Sequence, residues 1–230
     1  LRWLEFGIFT PLMRNHSALG TREQEAYRFS NKAALRNIIR LRYCLLPYLY
    51  SEYMKAALND TMLFAPLAFG YPSDPHASQV EDQLLLGESL MLAPVYQPNT
   101  TGRYVYLPEE MLLVTTSGPE DLRFEKMTAG HHYVPAAEHE LIFFVRKGHL
   151  LLLAEAAENV ENVDASVLKA IAYTDTDTNA VCSYTLYDDD GYGKDYNDPS
   201  HLSVIHIEAD GTVSCEGSEE RTITPCFICS

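Results

Sequence analysis

Apolar residues recur with helical spacing between Asn31 and Asn59. A period near 3.6 over this length predicts one long amphipathic α-helix with an apolar face turned toward a core. Asn31 is a good N-cap residue, and Asn59 with Asp60 marks the end of the helix. Pro47 removes one backbone donor, so we expect a kink near the middle. The apolar positions are Leu35, Ile38, Ile39, Leu45, Leu46, Leu49, Tyr53, Met54, Ala57 and Leu58.

The chain opens on apolar sequence with no initiator Met and no polar lead-in, which favours a piece of a larger protein. The run from Ile8 to Met13 is almost wholly apolar and predicts a strand covered on both faces, as in a parallel barrel. Arg14, Asn15 and His16 follow at once. Loops after the strands build the active site of such a barrel, so Arg14 and His16 are candidate site residues. They could equally satisfy backbone groups in a tight loop.

After Phe64 the pattern changes from helical spacing to short apolar runs separated by Gly and Pro. Many short strands with tight turns are typical of antiparallel sandwiches, and a second sandwich is expected to begin near Glu158. Asp210-Gly211 is the strongest hairpin turn, and the tail from Gly217 is expected to be irregular or an edge strand. The predicted strands are Gln83–Leu86, Leu90–Tyr96, Arg103–Leu107, Leu112–Thr115, His132–Val134 and Leu141–Arg146 in the first sandwich, and Leu168–Tyr173, Ser183–Tyr187, Leu202–Ile207 and Thr212–Cys215 in the second.

Charge and composition argue against several classes of partner. With 230 residues, of which 47% are hydrophobic, the chain can build real cores. Its formal net charge of -15 argues against nucleic acid and anionic membrane as partners, whereas a neutral sugar is indifferent to that charge. No apolar run approaches the length of a membrane span. The cysteines have no framework spacing, which favours reduced thiols and a cytoplasmic location; they are Cys44, Cys182, Cys215, Cys226 and Cys229.

We expect no metal and no cofactor. The segment Asp175 to Asn179 begins like an EF-hand loop, but Ala180 stands where the turn needs Gly, and Leu186 stands where the bidentate Glu belongs. Asp188 to Gly191 lacks the alternate spacing of such a loop, so a turn held by Asx side-chain bonds is favoured over an irregular calcium site. The Cys226–Cys229 pair has redox or zinc spacing, but neither a second ligand pair nor a following helix supports either site. The histidines lack the helical spacing typical of zinc sites.

Six short motifs are spread over residues 1 to about 196. They are Arg2-Trp3 with Gly7, Phe9, Pro11 and Arg14-Asn15-His16; Arg42-Tyr43 with Leu45-Leu46-Pro47-Tyr48-Leu49-Tyr50; Asp82-Gln83-Leu84-Leu85-Leu86-Gly87 with Leu92-Ala93-Pro94-Val95; Arg103-Tyr104-Val105-Tyr106-Leu107-Pro108; Phe144-Val145-Arg146-Lys147-Gly148; and Leu186-Tyr187-Asp188-Asp189-Asp190-Gly191. In this order they resemble glycoside hydrolase family 31, the α-glucosidase family. The resemblance implies a mainly β chain, with the last strand and helix of a (β/α)8 barrel over residues 1–61. Two antiparallel β-sandwich domains are expected to follow over residues 62–155 and 156–230.

The same resemblance implies a retaining α-glucosidase that hydrolyses terminal α-linked glucose from oligosaccharides. Such hydrolysis needs two carboxylates about 5 to 5.5 Å apart. In the family both are Asp residues on earlier barrel strands, and no segment of this chain matches them, so we expect no catalytic residue here and no activity without the missing N-terminal barrel segments. The resemblance makes His16 a donor to a sugar hydroxyl, while Arg14 orients the loop or an acidic neighbour. The helix charges Arg40, Arg42 and Glu52 are expected to be packing and surface groups.

A stand-alone, non-catalytic carbohydrate-binding or interaction module is the alternative function. An exposed row of aromatic residues on a sandwich face would favour it, because sugar rings stack on such platforms. Tyr104 and Tyr106 lie on one face of a predicted strand and are the candidates for such a row. We expect both of them in the buried core instead.

Overall fold

The computed structural model describes residues 1–174, 181–217 and 219–229. Its first 61 residues hold two α-helices, α1 (Arg2–Gly7) and α2 (Lys32–Leu58). The prediction of a strand over Ile8 to Met13 is wrong, because turns and bends occupy residues 8–12 and Met13 has no regular secondary structure. A strand needs a hydrogen-bonding neighbour, and no described strand pairs with this segment. Pro11 also lacks the amide that a strand ladder requires.

The long helix predicted from the apolar spacing is confirmed as α2, which packs on strands of both sandwiches. Asn31 occupies its N-cap position but makes no side-chain capping hydrogen bond. Pro47 deprives the carbonyl of Tyr43 of its helical donor, and the amide of Ala154 donates to the adjacent carbonyl of Cys44 at 2.9 Å. The apolar face of α2 packs against both sandwiches; its buried apolar residues include Leu35, Ile38, Leu41, Cys44, Leu45, Tyr48 and Leu49.

Eight strands and a short helix form the first sandwich. They are β1 (Phe64–Pro66), α3 (Leu67–Gly70), β2 (Leu84–Leu86), β3 (Leu90–Leu92), β4 (Gly102–Leu107), β5 (Met111–Gly118), β6 (Asp121–Met127), β7 (Gly130–Pro135) and β8 (Leu141–Arg146). One layer is a six-stranded antiparallel sheet in the order β1-β2-β3-β8-β5-β6, and the other is the antiparallel pair β4–β7. Apolar side chains such as Met91, Val105, Leu113 and Phe144 form the core between the layers.

Six strands form the second sandwich. They are β9 (Leu150–Leu153), β10 (Val167–Tyr173), β11 (Val181–Tyr187), β12 (Leu202–Glu208), β13 (Val213–Gly217) and β14 (Thr222–Cys229). They make two three-stranded sheets, β14-β10-β9 and β11-β12-β13, in which only the β10–β14 pairing is parallel among the described strands. The tail was expected to be irregular or an edge strand, and it forms the edge strand β14. Gly211 supplies a positive φ of 90° in the predicted β12–β13 turn.

The mainly β architecture with several antiparallel sheets is confirmed, and every predicted strand after Phe64 overlaps an observed one. One buried apolar cluster runs from the N-terminal segment through α2 into both sandwiches, with Phe9, Ile38, Leu112 and Ile205 among its members. Strand β9 precedes the predicted domain boundary at residue 155 but pairs with β10 beyond it. The bounds 1–61, 62–155 and 156–230 stay predictions. None of the described helices combines the length and the apolar character needed to cross a membrane.

Candidate functional site

The Arg14–His16 loop lies at the protein surface, past the turns that replace the predicted strand. Nη2 of Arg14 lies 3.3 Å from Nδ1 of His16. A guanidinium can only donate, so Nδ1 accepts and the imidazole proton is assigned to Nε2. The Nε2–H of His16 can then donate to an oxygen of a ligand. The partner of Arg14 in the described residues is this imidazole rather than an acidic neighbour.

Asn15 ties the loop to the segment that follows it. Its side-chain Nδ2 donates to the carbonyl oxygen of Gln24 at 2.9 Å. The side chains on both sides of Asn15 remain exposed. The position of His16 is therefore set by a local contact within the connection between α1 and α2, and not by burial in the core.

Arg42 connects the N-terminal segment to α2. Its Nη1 donates to the carbonyls of Ile8 at 2.5 Å and Thr10 at 2.6 Å, and its Nη2 donates to the carbonyl of Pro11 at 3.3 Å. These carbonyls have no strand partner, so a charged donor satisfies them instead. Sequence reasoning assigned Arg42 only to packing or surface, and this positioning contact was missed. Arg40, in contrast, is a surface group that pairs with Glu120 at 2.6 Å.

Helix α1 is held on the first sandwich by Arg2, a residue for which the sequence predicted no role. Its guanidinium donates to the carbonyls of Thr100, Ala136 and Glu140 at 3.2, 3.0 and 2.9 Å. It also lies 3.1 Å from Oε2 of Glu5. The other oxygen of Glu5 is buried without a hydrogen-bond partner. Burial consequently raises the pKa of Glu5 to about 7, against the opposing effect of Arg2.

Glu52 is a buried acid that joins α2 to the second sandwich. Its Oε1 accepts from Nζ of Lys55 at 2.7 Å and from the hydroxyl of Tyr184 at 2.7 Å, while the amide of Glu88 donates to Oε2 at 3.3 Å. Burial raises its pKa. A Cβ at Gly87 would collide with this carboxylate, so the turn before Glu88 needs glycine. The packing role expected for Glu52 agrees with these contacts.

The acidic turn after β11 is held by Asx side-chain bonds, as predicted. Oδ1 of Asp189 accepts from the amide of Gly191 at 2.9 Å. Oδ1 of Asp190 accepts from the amides of Tyr192 at 2.9 Å and Gly193 at 2.7 Å. These oxygens therefore stabilise the turn itself.

A metal site was not expected, and two candidate segments bear on that prediction. In the part of the chain that the structure describes, no group of three or more His, Cys, Asp and Glu side chains could hold a metal ion. The EF-hand-like segment Asp175 to Asn179 lies outside the described residues. Cys226 carries a free thiol, and the side chain of Cys229 also lies outside the described part.

Tyr104 was expected in the buried core, and that prediction is wrong. Its side chain is 76% exposed and packs edge-to-face on Tyr133, with the ring centroids 5.2 Å apart. Alternation along β4 turns Val105 and Leu107 inward and the tyrosines outward. Tyr106 is half-buried because its ring packs against the core of the first sandwich, and its hydroxyl donates to Oδ2 of Asp74 at 2.6 Å.

Two family models match the chain. The model of the glycosyl hydrolases family 31 TIM-barrel domain matches residues 1–52, and that of the glycosyl hydrolase family 31 C-terminal domain matches residues 60–151. The first match includes the Arg14–His16 loop and most of α2, and the second includes the first sandwich.

Individual relatives extend these matches over almost the whole chain. Alpha-glucosidase 2 of Bacillus thermoamyloliquefaciens is 30% identical over 233 residues, which cover 97% of this chain and 28% of that protein. The lysosomal alpha-glucosidase of Bos taurus is 41% identical over 111 residues, which cover 47% of this chain and 12% of that protein. The structure of a family 31 dextranase from Flavobacterium johnsoniae, complexed with isomaltotriose, superposes with a TM-score of 0.77 at 27% identity, covering 90% of this chain and 25% of that one.

The chain thus spans less than a third of the length of each of these relatives. Its matches fall on the end of the family's barrel domain and on its C-terminal domain, in that order. The chain belongs to glycoside hydrolase family 31, and it corresponds to the C-terminal portion of that family's proteins.

Proposed function

We propose that this chain is the C-terminal part of a retaining α-glucosidase that hydrolyses terminal α-linked glucose from oligosaccharides. Its two sandwiches brace the catalytic barrel, and its Arg14–His16 loop contacts the substrate. No cofactor takes part. The α-glucosidase activity named for the bacterial and bovine relatives supports this assignment.

The observation that carries the proposal is the contact between Arg14 and His16. Because the guanidinium donates to Nδ1, the imidazole presents Nε2–H outward as a hydrogen-bond donor. A sugar hydroxyl in the subsite before the scissile bond accepts from that donor. Arg14 is then a positioning residue, since it acts on the substrate only through the tautomer and orientation of His16.

The remaining barrel covers an apolar groove beside this loop. The groove has a volume of about 410 Å³ and is lined by Phe9, Leu12, Leu49 and Tyr53, among others. Leu12 is 77% exposed and Tyr53 is 48% exposed. Contiguous exposed apolar surface of this kind marks a site that contacts another protein, a membrane or a ligand. We assign the contact to N-terminal barrel segments, the partners that the sequence predicts.

Those segments also supply the two catalytic carboxylates, which stand about 5 to 5.5 Å apart in a retaining enzyme. One acts as the nucleophile and the other as the acid and base. The described acids of this chain that are most buried, Glu5 and Glu52, are engaged with Arg2 and with Lys55 and Tyr184. We expect the chain alone to be inactive for want of these two carboxylates.

A stand-alone carbohydrate-binding module is the second candidate function, and the exposed ring of Tyr104 is the observation that favours it. Turnover by a protein with the whole barrel would support the first function, and sugar binding without any turnover would support the second. A cytoplasmic location remains a prediction, supported by the free thiols of Cys44, Cys182, Cys215 and Cys226.

The test is His16→Ala in the protein extended to carry the whole barrel. Loss of a hydrogen bond made mainly in the transition state lowers kcat and kcat/KM together, here by on the order of a hundredfold in kcat/KM. His139→Ala, at an exposed histidine in the first sandwich, is the matched control and should leave both constants unchanged. A thermal melt must show that the His16 variant remains folded. Unchanged kcat/KM in a folded His16 variant would mean that His16 has a structural role and does not contact the substrate in the transition state.

A further inference from the structure

A groove with aromatic and amide walls lies on the first sandwich, between the β4–β7 pair and the loop from Pro94 to Thr101. Its volume is about 480 Å³, which lies within the range of small-molecule sites. Tyr96, Tyr104 and Tyr133 supply exposed rings, and the exposed residues Gln97 and Asn99 bring side-chain amides to the rim.

The floor of this groove is held in place by Arg103. Its Nη1 donates to the carbonyl of Pro94 at 2.7 Å and to that of Asp82 at 3.1 Å, and its Nη2 pairs with Oδ1 of Asp82 at 2.7 Å. The hydroxyl of Tyr96 donates to the other carboxylate oxygen of Asp82 at 3.2 Å. The groove is thus largely preformed, and its one acid and one base neutralise each other.

The loop that forms the opposite wall is also fixed. Arg2 of α1 donates to the carbonyl of Thr100, and the amide of Ala136 donates to the carbonyl of Thr101 at 2.9 Å. A Cβ at Gly102 would lie 2.7 Å from the hydroxyl oxygen of Tyr133 and 2.5 Å from the carbonyl oxygen of Val134. Glycine at this position therefore leaves room for the Tyr133 ring at the end of the groove.

The aromatic surface continues along the outer face of β4–β7. Tyr104 stands opposite Tyr133 and Tyr106 stands opposite His131 in the strand register. The ring centroids of Tyr106 and His131 are 4.8 Å apart, and His76 packs on both at 5.6 and 5.8 Å. Two adjacent ring pairs thus make an aromatic platform next to the groove; the Tyr104–Tyr133 pair packs edge-to-face and the Tyr106–His131 pair is tilted.

The lining and the charge decide the chemistry of the ligand. Flat aromatic faces bury the apolar faces of a sugar ring, and amide groups at the rim can exchange hydrogen bonds with its hydroxyls. The groove offers no uncompensated charge, and the net charge of -15 repels anionic ligands. We propose that this groove and platform form a non-catalytic binding site for a neutral oligosaccharide, centred on Tyr104 and Tyr133. The site works independently of the catalytic proposal, because it needs no residue of the Arg14–His16 loop.

The test uses native electrophoresis of the 230-residue chain in gels that contain dextran or glycogen, followed by calorimetry with maltoheptaose and isomaltoheptaose. Binding should retard the wild-type chain in at least one polysaccharide gel. Tyr104→Ala combined with Tyr133→Ala should abolish that retardation and weaken heptasaccharide binding by at least about tenfold, since both aromatic anchors are lost. Tyr104→Phe keeps the ring and should bind nearly as tightly as the wild type.

Tyr192→Ala is the matched control, because Tyr192 is an exposed tyrosine that does not line the groove. It should be retarded like the wild type. Thermal melts check that all variants are folded, as expected for changes at exposed side chains. Absence of any retardation of the wild type, or retardation that survives in the folded double variant, would overturn the proposal. A concentration-dependent dimer that the double variant abolishes, without sugar binding, would assign the surface to a second copy and overturn it as well.

Discussion

The N-terminal segment, residues 1–31, and helix α2 belong to the same predicted barrel end, yet only the helix has the predicted structure. A helix satisfies its backbone hydrogen bonds internally, so α2 needed only apolar side-chain contacts with the sandwiches. A strand depends on neighbours for those bonds, and the run from Ile8 to Met13 has none among the described strands. Local sequence therefore determines a helix more completely than it determines an interior barrel strand.

The same difference bears on function. The N-terminal segment is held mainly by arginine side chains, Arg2 at α1 and Arg42 from α2. Its Arg14–His16 loop is exposed and is held by local contacts instead. Charged donors to backbone carbonyls take the place that strand pairing would have in a barrel. We therefore expect the core to depend on α2, and the N-terminal segment to depend on these arginines and on Glu5.

The largest expected effect is the contrast between two leucines. Leu45 of α2 is fully buried, whereas Leu12 of the segment is 77% exposed. Leu45→Ala leaves a cavity in the shared core and should lower the free energy of unfolding by about 2–5 kcal/mol. Leu12→Ala should change it by less than about 0.5 kcal/mol. Urea unfolding monitored by circular dichroism measures the free energy of unfolding of both variants. Equal decreases would contradict the claim that the core depends on α2 and not on the N-terminal segment.

The second prediction concerns the pH dependence of α1 docking. The pKa of Glu5 rises from 4.5 to about 7 on folding. Between these values the folded chain binds more protons than the unfolded chain, so this group's contribution to stability is full below pH 4.5 and is lost as the pH rises toward 7. The Glu5→Gln side chain stays neutral. The variant should therefore avoid a decrease in the free energy of unfolding on the order of 3 kcal/mol.

Melting temperatures of the wild type and Glu5→Gln at pH 5 and pH 8 measure this effect. The wild type should lose more stability than the variant between the two pH values. Parallel pH profiles for the two proteins would show that the buried carboxyl of Glu5 does not control this contact.

The smallest expected effect is on the segment alone. Arg42→Met removes the donors to the carbonyls of Ile8, Thr10 and Pro11. The free energy needed to open this segment should fall by on the order of 1.5 kcal/mol. Hydrogen exchange or limited proteolysis should detect faster opening of residues 8–13 without a matching change in α2. Arg36→Met, at an exposed arginine of the same helix, is the control. Equal protection in the two variants would mean that Arg42 does not hold the segment.

Sequence patterns predicted α2 and the strands whose apolar residues alternate or run together, but three strands were missed. β6, Asp121–Met127, is an edge strand with many exposed positions, so its alternation is weak. β1 has only three residues. β9 is a run of four leucines that is recognisable as a strand only through its pairing with β10. Short and edge strands depend on tertiary partners, which a single sequence does not display.

The candidate site was predictable only in part. Arg14 and His16 were named from the resemblance, but their contact through Nδ1 required coordinates. The roles of Arg2 and Arg42 depend on carbonyls as far as 138 and 34 residues away in the chain, and no local pattern encodes those pairings. The exposure of Tyr104 follows from which face of β4 meets the core, and alternation alone leaves that choice open.

The most direct test of the account is hydrolysis of an aryl α-glucoside by the purified 230-residue chain, compared with the protein extended to carry the whole barrel. We predict no release above buffer from the chain alone and clear turnover from the extended protein, because the proposed function assigns the catalytic carboxylates to the added segments. Turnover by the chain alone that disappears when one of its own Asp or Glu residues is changed would contradict the account.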